Sequence, residues 1–190
     1  MAIGVLAPPG SVALAARSLQ ISNPGRMRAE GRVTFEEPEG AARMTCSLTL
    51  NGSVQEEVFK GAGTVIGTTT EGRAETCTAF GLFGATVTIL ATERSPLFVL
   101  YQSFLGTLPS IVGIKAKIRT LGFQMRAIGR TCLYQADAAV LFPSSLEQMR
   151  FLEEEVLEFL LQPGSTEGCP ARGKLRGILR SERARTVRLV

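Results

Sequence analysis

Residues 114–127 read IKAKIRTLGFQMRA, and most of this stretch alternates between apolar and polar side chains. Ile114, Ala116 and Ile118 alternate with three cations, and the same alternation resumes at Phe123. Strict alternation over several residues indicates a β-strand with one face in the core and the other in water. Residues 114–127 therefore predict a long amphipathic strand.

Alternation or enrichment in β-branched residues recurs along the chain beyond residue 17, between turn signals. Further strands are predicted over residues 45–50, 53–58, 63–70, 76–82, 86–92, 98–104, 131–135 and 138–142. The first two would be joined by a hairpin turn at Asn51-Gly52, a dipeptide typical of such turns. Strands at intervals of roughly 8–12 residues predict a mainly β fold, an antiparallel β-sandwich or barrel.

The segment 144–162 departs from this pattern. Its apolar residues recur at helical spacing, Ser144 and Glu147 match a capping box, and Pro163-Gly164 would end a helix. The alternative is a strand around residues 148–152, followed by a long loop. We therefore expect a mainly β fold with at most one helix, near residues 144–162.

The composition excludes several chemistries. The chain has no histidine and a single aspartate, Asp137, which excludes Ser-His-Asp and Cys-His catalysis, His-ligated metals and Asp-rich calcium loops. We expect neither a cofactor nor a metal. The 190 residues are 45% hydrophobic and 20% charged, which is typical of a globular domain with a sizeable core. We expect a single β-rich domain over residues 17–190.

Glutamates are the remaining general acid–base groups. They occur as Glu36, Glu37, Glu56, Glu57 and a run at 153–155. All of these lie in polar clusters, where carboxylates are normally solvated, and few aromatic side chains are present on which a sugar could stack. We interpret the chain as non-enzymatic, with a carboxylate-based hydrolase as the less favoured alternative.

The four cysteines are Cys46, Cys77, Cys132 and Cys169. An even number of widely spaced cysteines, with no C-x-x-C pair, indicates disulfide bonds and an oxidising compartment. Of the three possible pairings we favour Cys46–Cys77 with Cys132–Cys169, because sequential pairing closes two moderate loops without crossing. The alternative is four reduced, buried thiols in a cytosolic domain.

Residues 1–16 carry no charged side chain and contain Ala13-Leu14-Ala15 near their end, which resembles a signal-peptidase site. They predict either the remnant of a signal peptide or a disordered lead. No apolar run reaches the roughly 18–20 residues that a transmembrane helix needs. We expect a secreted or cell-envelope location.

The C-terminal residues 172–190 contain seven basic side chains against the single acid Glu182. A basic tail can make weak contacts with an anionic surface. The favoured interpretation is a closing strand, because Leu175 and Leu179 are interleaved with Lys174, Arg176 and Arg180. The segment contains no aromatic residue on which a base could stack, so we expect no nucleic-acid binding.

Four segments together resemble a known group of proteins. They are Cys46-Ser-Leu-Thr-Leu-Asn-Gly-Ser, Tyr101-Gln-Ser-Phe-Leu-Gly-Thr-Leu-Pro-Ser-Ile, Cys132-Leu-Tyr, and Cys169-Pro-Ala-Arg-Gly-Lys-Leu-Arg-Gly with the terminal Thr186-Val-Arg-Leu-Val. The pattern resembles small exported β-rich bacterial proteins with four dispersed cysteines and no assigned function. The resemblance implies an envelope or extracellular location and disulfide-bonded cysteines, and it carries over no catalytic or binding residue.

The leading hypothesis is a non-enzymatic exported β-domain that acts as a structural or binding module of the cell envelope. The second hypothesis is a hydrophobic-ligand carrier, in which phenylalanines line a barrel cavity. These would be Phe80, Phe83, Phe98, Phe104 and Phe123. The two hypotheses differ in one property, because a carrier needs an apolar cavity of several hundred cubic ångströms and a structural module has a filled interior.

Overall fold

The computed structural model describes residues 18–36, 43–79, 82–107, 110–127, 129–151 and 159–190. These residues form β-strands, turns and loops, and no helix occurs among them. The strands are β1 (Ser18–Ile21), β2 (Gly25–Glu36), β3 (Arg43–Val54), β4 (Glu57–Phe59), β5 (Val65–Ala79), β6 (Leu82–Ile89), β7 (Leu97–Thr107), β8 (Ser110–Ala127), β9 (Arg130–Pro143), β10 (Gln148–Phe151), β11 (Phe159–Leu161), β12 (Arg172–Ser181) and β13 (Val187–Leu189). The expected mainly β, antiparallel fold is confirmed. The expectations for residues 1–16 lie outside the described residues.

Ten of the strands form one antiparallel sheet that closes on itself as a barrel. Strands β6 and β7 both lie between β5 and β8, so together they form one interrupted strand position, or stave. Strands β10 and β11 form a second interrupted stave between β9 and β12. Because β12 also pairs with β2, the chain runs through the staves in sequence order and returns to its start.

Alternation along each strand places apolar side chains inside the barrel. In β8, Ile114 and Ile118 are fully buried, whereas the intervening cations face outward. The alternation shifts at Thr120, which has a positive φ of 51° and whose amide donates to the Asp137 carboxylate at 2.9 Å. This bulge returns Leu121 to the interior, which explains why the alternation breaks in the sequence and then resumes.

The barrel interior is packed with side chains. Phe123 lies between Phe35 and Tyr134, with ring centroids 4.6 and 5.5 Å away. A smaller sheet in the order β13-β1-β4 adds its buried side chains to the same core, including Leu19 and Val58.

A pocket lined by residues that include Met27, Phe142 and Met149 has a volume of about 10 Å³. This volume is about the minimum that one water molecule needs. The pocket is therefore far smaller than the cavity of a hydrophobic-ligand carrier.

The predicted hairpin at Asn51-Gly52 is wrong. Both residues lie inside β3, where Gly52 pairs with Met27 on one side and Thr69 on the other. A Cβ on Gly52 would lie 1.8 Å from the carbonyl oxygen of Thr68. The glycine therefore permits close approach of β5 at a register shift in the sheet, and it does not form a turn.

The helix that the local pattern indicates near residues 144–162 is also wrong for the described part of that segment. Residues 148–151 and 159–161 are strands β10 and β11, and the residues between them lie outside the described ranges. The alternative interpretation, a strand around residues 148–152, is confirmed by β10, but the long loop expected after it is interrupted by β11. Burial of Met149 and Phe151 in the core, with two-sided pairing of β10, explains why strand structure replaces the helical pattern.

We expect Gly52→Ala to lower the free energy of unfolding by about 2 kcal/mol or more, because the added methyl group meets backbone that cannot rotate away. Gly61→Ala is the matched control, since a Cβ there lies 3.4 Å from its nearest neighbour, Thr64 Oγ1. Urea denaturation of both variants measures the difference. Equal stability of the two variants would contradict the close approach at Gly52.

No helix in the described part of the chain has the length and apolar character needed to cross a membrane.

Candidate functional site

Two disulfides are present, and both match the favoured sequential pairing. Cys46–Cys77 joins β3 to β5, and Cys132–Cys169 joins β9 to the loop that precedes β12. Cys46, Cys77 and Cys132 are buried, whereas Cys169 is partly exposed. Two disulfides in a domain of this size are typical of proteins from extracellular or other oxidising compartments.

The glutamates considered as acid–base groups are not brought into one described site. Glu36 ends β2 and lies 3.6 Å from the guanidinium of Arg176. Glu56 and Glu57 are exposed at the small sheet, near the opposite end of β2. Glu37 and residues 153–155 lie outside the described ranges. Across the described residues, no cluster of His, Cys, Asp or Glu could hold a metal ion.

The phenylalanines of the carrier hypothesis do not share one environment. Phe98 on β7 is 44% exposed, whereas Phe123 is buried in the core and Phe104 is half-buried. Phe80 and the side chain of Phe83 fall outside the part of the chain that the structure describes. The described phenylalanines therefore do not line a common cavity.

The barrel interior holds few polar groups, and Tyr101 on β7 is one of them. Its side chain is buried, and burial raises the pKa of its hydroxyl above the ordinary value of 10.0. A hydrogen bond from the backbone of Phe104 opposes this rise in pKa. The phenol of Tyr101 is therefore neutral at physiological pH, and within the barrel it acts as an uncharged hydrogen-bonding group.

The basic C-terminal segment is part of the fold. Strand β12 pairs with β2 on one side and with β10 and β11 on the other, and Leu175 and Leu179 are buried. This confirms the interpretation of residues 172–181 as a closing strand. Its alternate residues, including Arg176 and Arg180, face outward.

Arg185 is the exception among these cations, because only 2% of it is exposed. Its guanidinium donates to the carbonyl oxygens of Asn23 and Arg26 at 3.0 and 2.6 Å, and to Ser181 Oγ at 3.0 Å. Burial lowers the pKa of Arg185 below its usual value, and the nearby charge of Arg183 lowers it further. Arg185 therefore links the C-terminal segment to the start of β2 by hydrogen bonds, and its buried guanidinium is not available to a partner.

A row of outward side chains crosses five neighbouring staves of the barrel. The pairing register aligns Lys115 on β8, Leu141 on β9, Arg150 on β10, Ile178 on β12 and Arg32 on β2. Three cations thus alternate with two apolar side chains, of which Ile178 is 44% exposed. Arg180 lies beside the row, two residues after Ile178 on the same strand. We call these six residues the basic face.

The cations of the basic face are little compensated by acidic groups. Arg32, Arg180 and Lys115 form no ion pair with any described residue, and Arg150 donates only to the neutral Gln148 amide, at 3.2 Å. Glu30 lies opposite Arg180 in the sheet but is paired with Arg28. Positive charge therefore accumulates on one outer surface, where it would attract an anion.

The amino-acid sequence indicates only part of this face. Its alternation predicts that Arg180 faces outward in a basic segment and that Lys115 lies on an amphipathic strand. Arg150 lies within the segment whose pattern indicates a helix, and nothing local to Arg32 distinguishes it from other outward cations. The missing information is the pairing register, because it alone brings residues 32, 115, 150 and 178 into one row.

The chain matches no protein-family model, no curated protein and no solved structure.

Proposed function

We propose that this chain is a non-enzymatic binding module of the cell envelope or exterior, and that the basic face is the surface through which it binds an anionic partner. The observation that carries the proposal is the row of Lys115, Arg150 and Arg32, with Arg180 beside it, on one side of the barrel. These cations have few acidic neighbours, so their field is directed at solvent and at whatever anion approaches.

Two further features support a binding role. Phe35 and Phe123 are in ring contact in the core, and a separate pocket beside Met27 and Met149 has space for about one water. Binding is then expected on the outer surface. The two disulfides support an oxidising compartment, where a small β-domain gains stability from such bonds.

The test compares two variants with the same change in net charge. Arg32→Gln/Arg150→Gln/Arg180→Gln neutralises the basic face. Arg43→Gln/Arg94→Gln/Arg126→Gln neutralises three exposed cations elsewhere on the protein. Binding to dextran sulfate, and to vesicles of equal parts phosphatidylglycerol and phosphatidylcholine, is measured at low salt.

We expect the wild type to bind at least one of these probes, and the basic-face variant to lose that binding. The control variant should retain most of the affinity, because local charge density decides the interaction. Equal weakening of both variants would mean that net charge alone attracts the probes. That result, or an absence of binding to either probe, would contradict the proposal.

A further inference from the structure

We infer that the partner of the basic face is a linear acidic polysaccharide lying across the strands, an inference that rests on the proposed function. The basis is the order of the residues in the row. Cations on β8, β10 and β2 are separated by the apolar side chains of β9 and β12. This order of residues matches a polysaccharide in which acidic groups alternate with apolar ring faces along the polymer.

The spacing of the cations fits a polymer with regularly repeated charges. Neighbouring strands lie about 4.8 Å apart, so the backbone positions of Lys115, Arg150 and Arg32 recur at about 9.6 Å and the row spans about 19 Å along the backbone. In a polyuronate such as polygalacturonate every sugar carries a carboxylate, and an extended chain of about two-fold symmetry presents those of every second sugar on the same side, at a comparable repeat. Its ring C–H faces can pack on Leu141 and on the exposed Ile178 between those charges.

The shape of the surface distinguishes a polymer from a membrane. The row covers five neighbouring staves of a barrel that has eight, and it therefore turns through about half of the circumference. A flat bilayer that touches Arg150 and Ile178 would leave the side chains of Lys115 and Arg32 pointing away on either side. A flexible polymer can follow the curvature and contact all three cations at once.

The side chains of the row also distinguish a polysaccharide from a single-stranded nucleic acid. Proteins that bind single strands place aromatic side chains where bases can stack on them. Lys115, Leu141, Arg150, Ile178 and Arg32 include no aromatic residue. A base would find no ring to stack on. The ring C–H faces of an acidic sugar can instead pack on aliphatic side chains, so Leu141 and Ile178 can replace the aromatic contacts that many sugar-binding sites use.

The experiment measures the affinity of the intact, oxidised protein for polygalacturonate fragments of increasing length. Single-stranded oligothymidylate of matched charge and the phosphatidylglycerol vesicles are tested in parallel. We expect affinity to rise with fragment length until the fragment spans about 19 Å, and then to level off. Arg150→Gln should weaken binding up to about fivefold, as expected for one exposed ion pair. Ile178→Ser should weaken binding of the fragments but not of inorganic sulfate.

Several results would overturn the inference. Affinity that is already maximal for a single sugar would indicate an isolated anion site and not a row. Tighter binding of oligothymidylate than of polygalacturonate would identify a nucleic acid as the partner class. If the protein binds vesicles through Arg32, Arg150 and Arg180 but does not bind polygalacturonate fragments, the inference of a polysaccharide partner is wrong and the proposed function still holds. No binding to any of these probes would overturn both.

Discussion

A chain truncated after Gly173 is expected to lose its cooperative thermal unfolding transition altogether. The truncation removes most of β12, which pairs with β2 on one side and with β10 on the other. It also removes the buried side chains of Leu175 and Leu179 from the core. The barrel would then have two open edges and an incomplete core, and the remaining β13 contacts of the small sheet would be absent as well.

Circular dichroism at far- and near-ultraviolet wavelengths during heating checks this prediction. Arg176→Gln is the control on the same strand, since Arg176 faces outward and its exposed ion pair with Glu36 contributes less than about 1 kcal/mol. A truncated protein that still melts in one sharp transition near the wild-type temperature would contradict closure of the barrel by β12.

Replacement of Arg185 is expected to have the second largest effect. Arg185→Leu replaces the buried cation with a shorter apolar side chain and leaves the carbonyl oxygens of Asn23 and Arg26 without their donor. Each hydrogen bond from a charged donor contributes about 1.5–3 kcal/mol to the free energy of unfolding. The loss of several such bonds outweighs the desolvation penalty that the variant avoids by no longer burying a cation. We expect the free energy of unfolding to fall by about 3 kcal/mol or more.

The matched control for Arg185 is its neighbour Arg183, whose side chain is exposed. Arg183→Leu should change the free energy of unfolding by less than about 0.5 kcal/mol. Urea denaturation curves of the two variants provide the comparison. If both variants unfold at the same urea concentration as the wild type, the hydrogen bonds of Arg185 do not stabilise the packing of the loop between β12 and β13 against the start of β2.

Local sequence pattern predicted the strands whose burial follows a simple period. In β8 and β12, inward and outward side chains alternate, so the amino-acid sequence alone indicates strand, face and core residues. The disulfide pairing was also predictable, because Cys46–Cys77 and Cys132–Cys169 follow sequence order in a barrel whose staves also follow sequence order.

The wrong predictions arose where tertiary structure overrides a local signal. Asn51-Gly52 has the composition of a turn. In the barrel, however, the missing side chain of Gly52 lets the backbone of β5 pack directly against β3. Residues 144–162 have apolar side chains at helical spacing, yet Met149 is buried and Leu160 is 53% exposed in two short strands of an interrupted stave. Such spacing predicts a helix only when one helical face is buried.

The basic face could not be predicted from local sequence, because it depends on how the strands pair. Its cations come from β2, β8, β10 and β12, and each one is an ordinary outward residue of its own strand. Their alignment depends on pairing between strands that are distant in sequence, such as Ile178 with Arg32. Analysis of one strand at a time therefore could not identify the face.

The central claim is that the basic face binds a linear polyanion, and the salt dependence of that binding tests it most directly. For contacts by Arg32, Lys115, Arg150 and Arg180, a plot of log affinity for polygalacturonate against log salt concentration should have a slope of about −2 to −3. The Arg32→Gln/Arg150→Gln/Arg180→Gln variant should retain only about a quarter of that slope. A wild-type slope near zero, or the same slope in the variant, would contradict the claim.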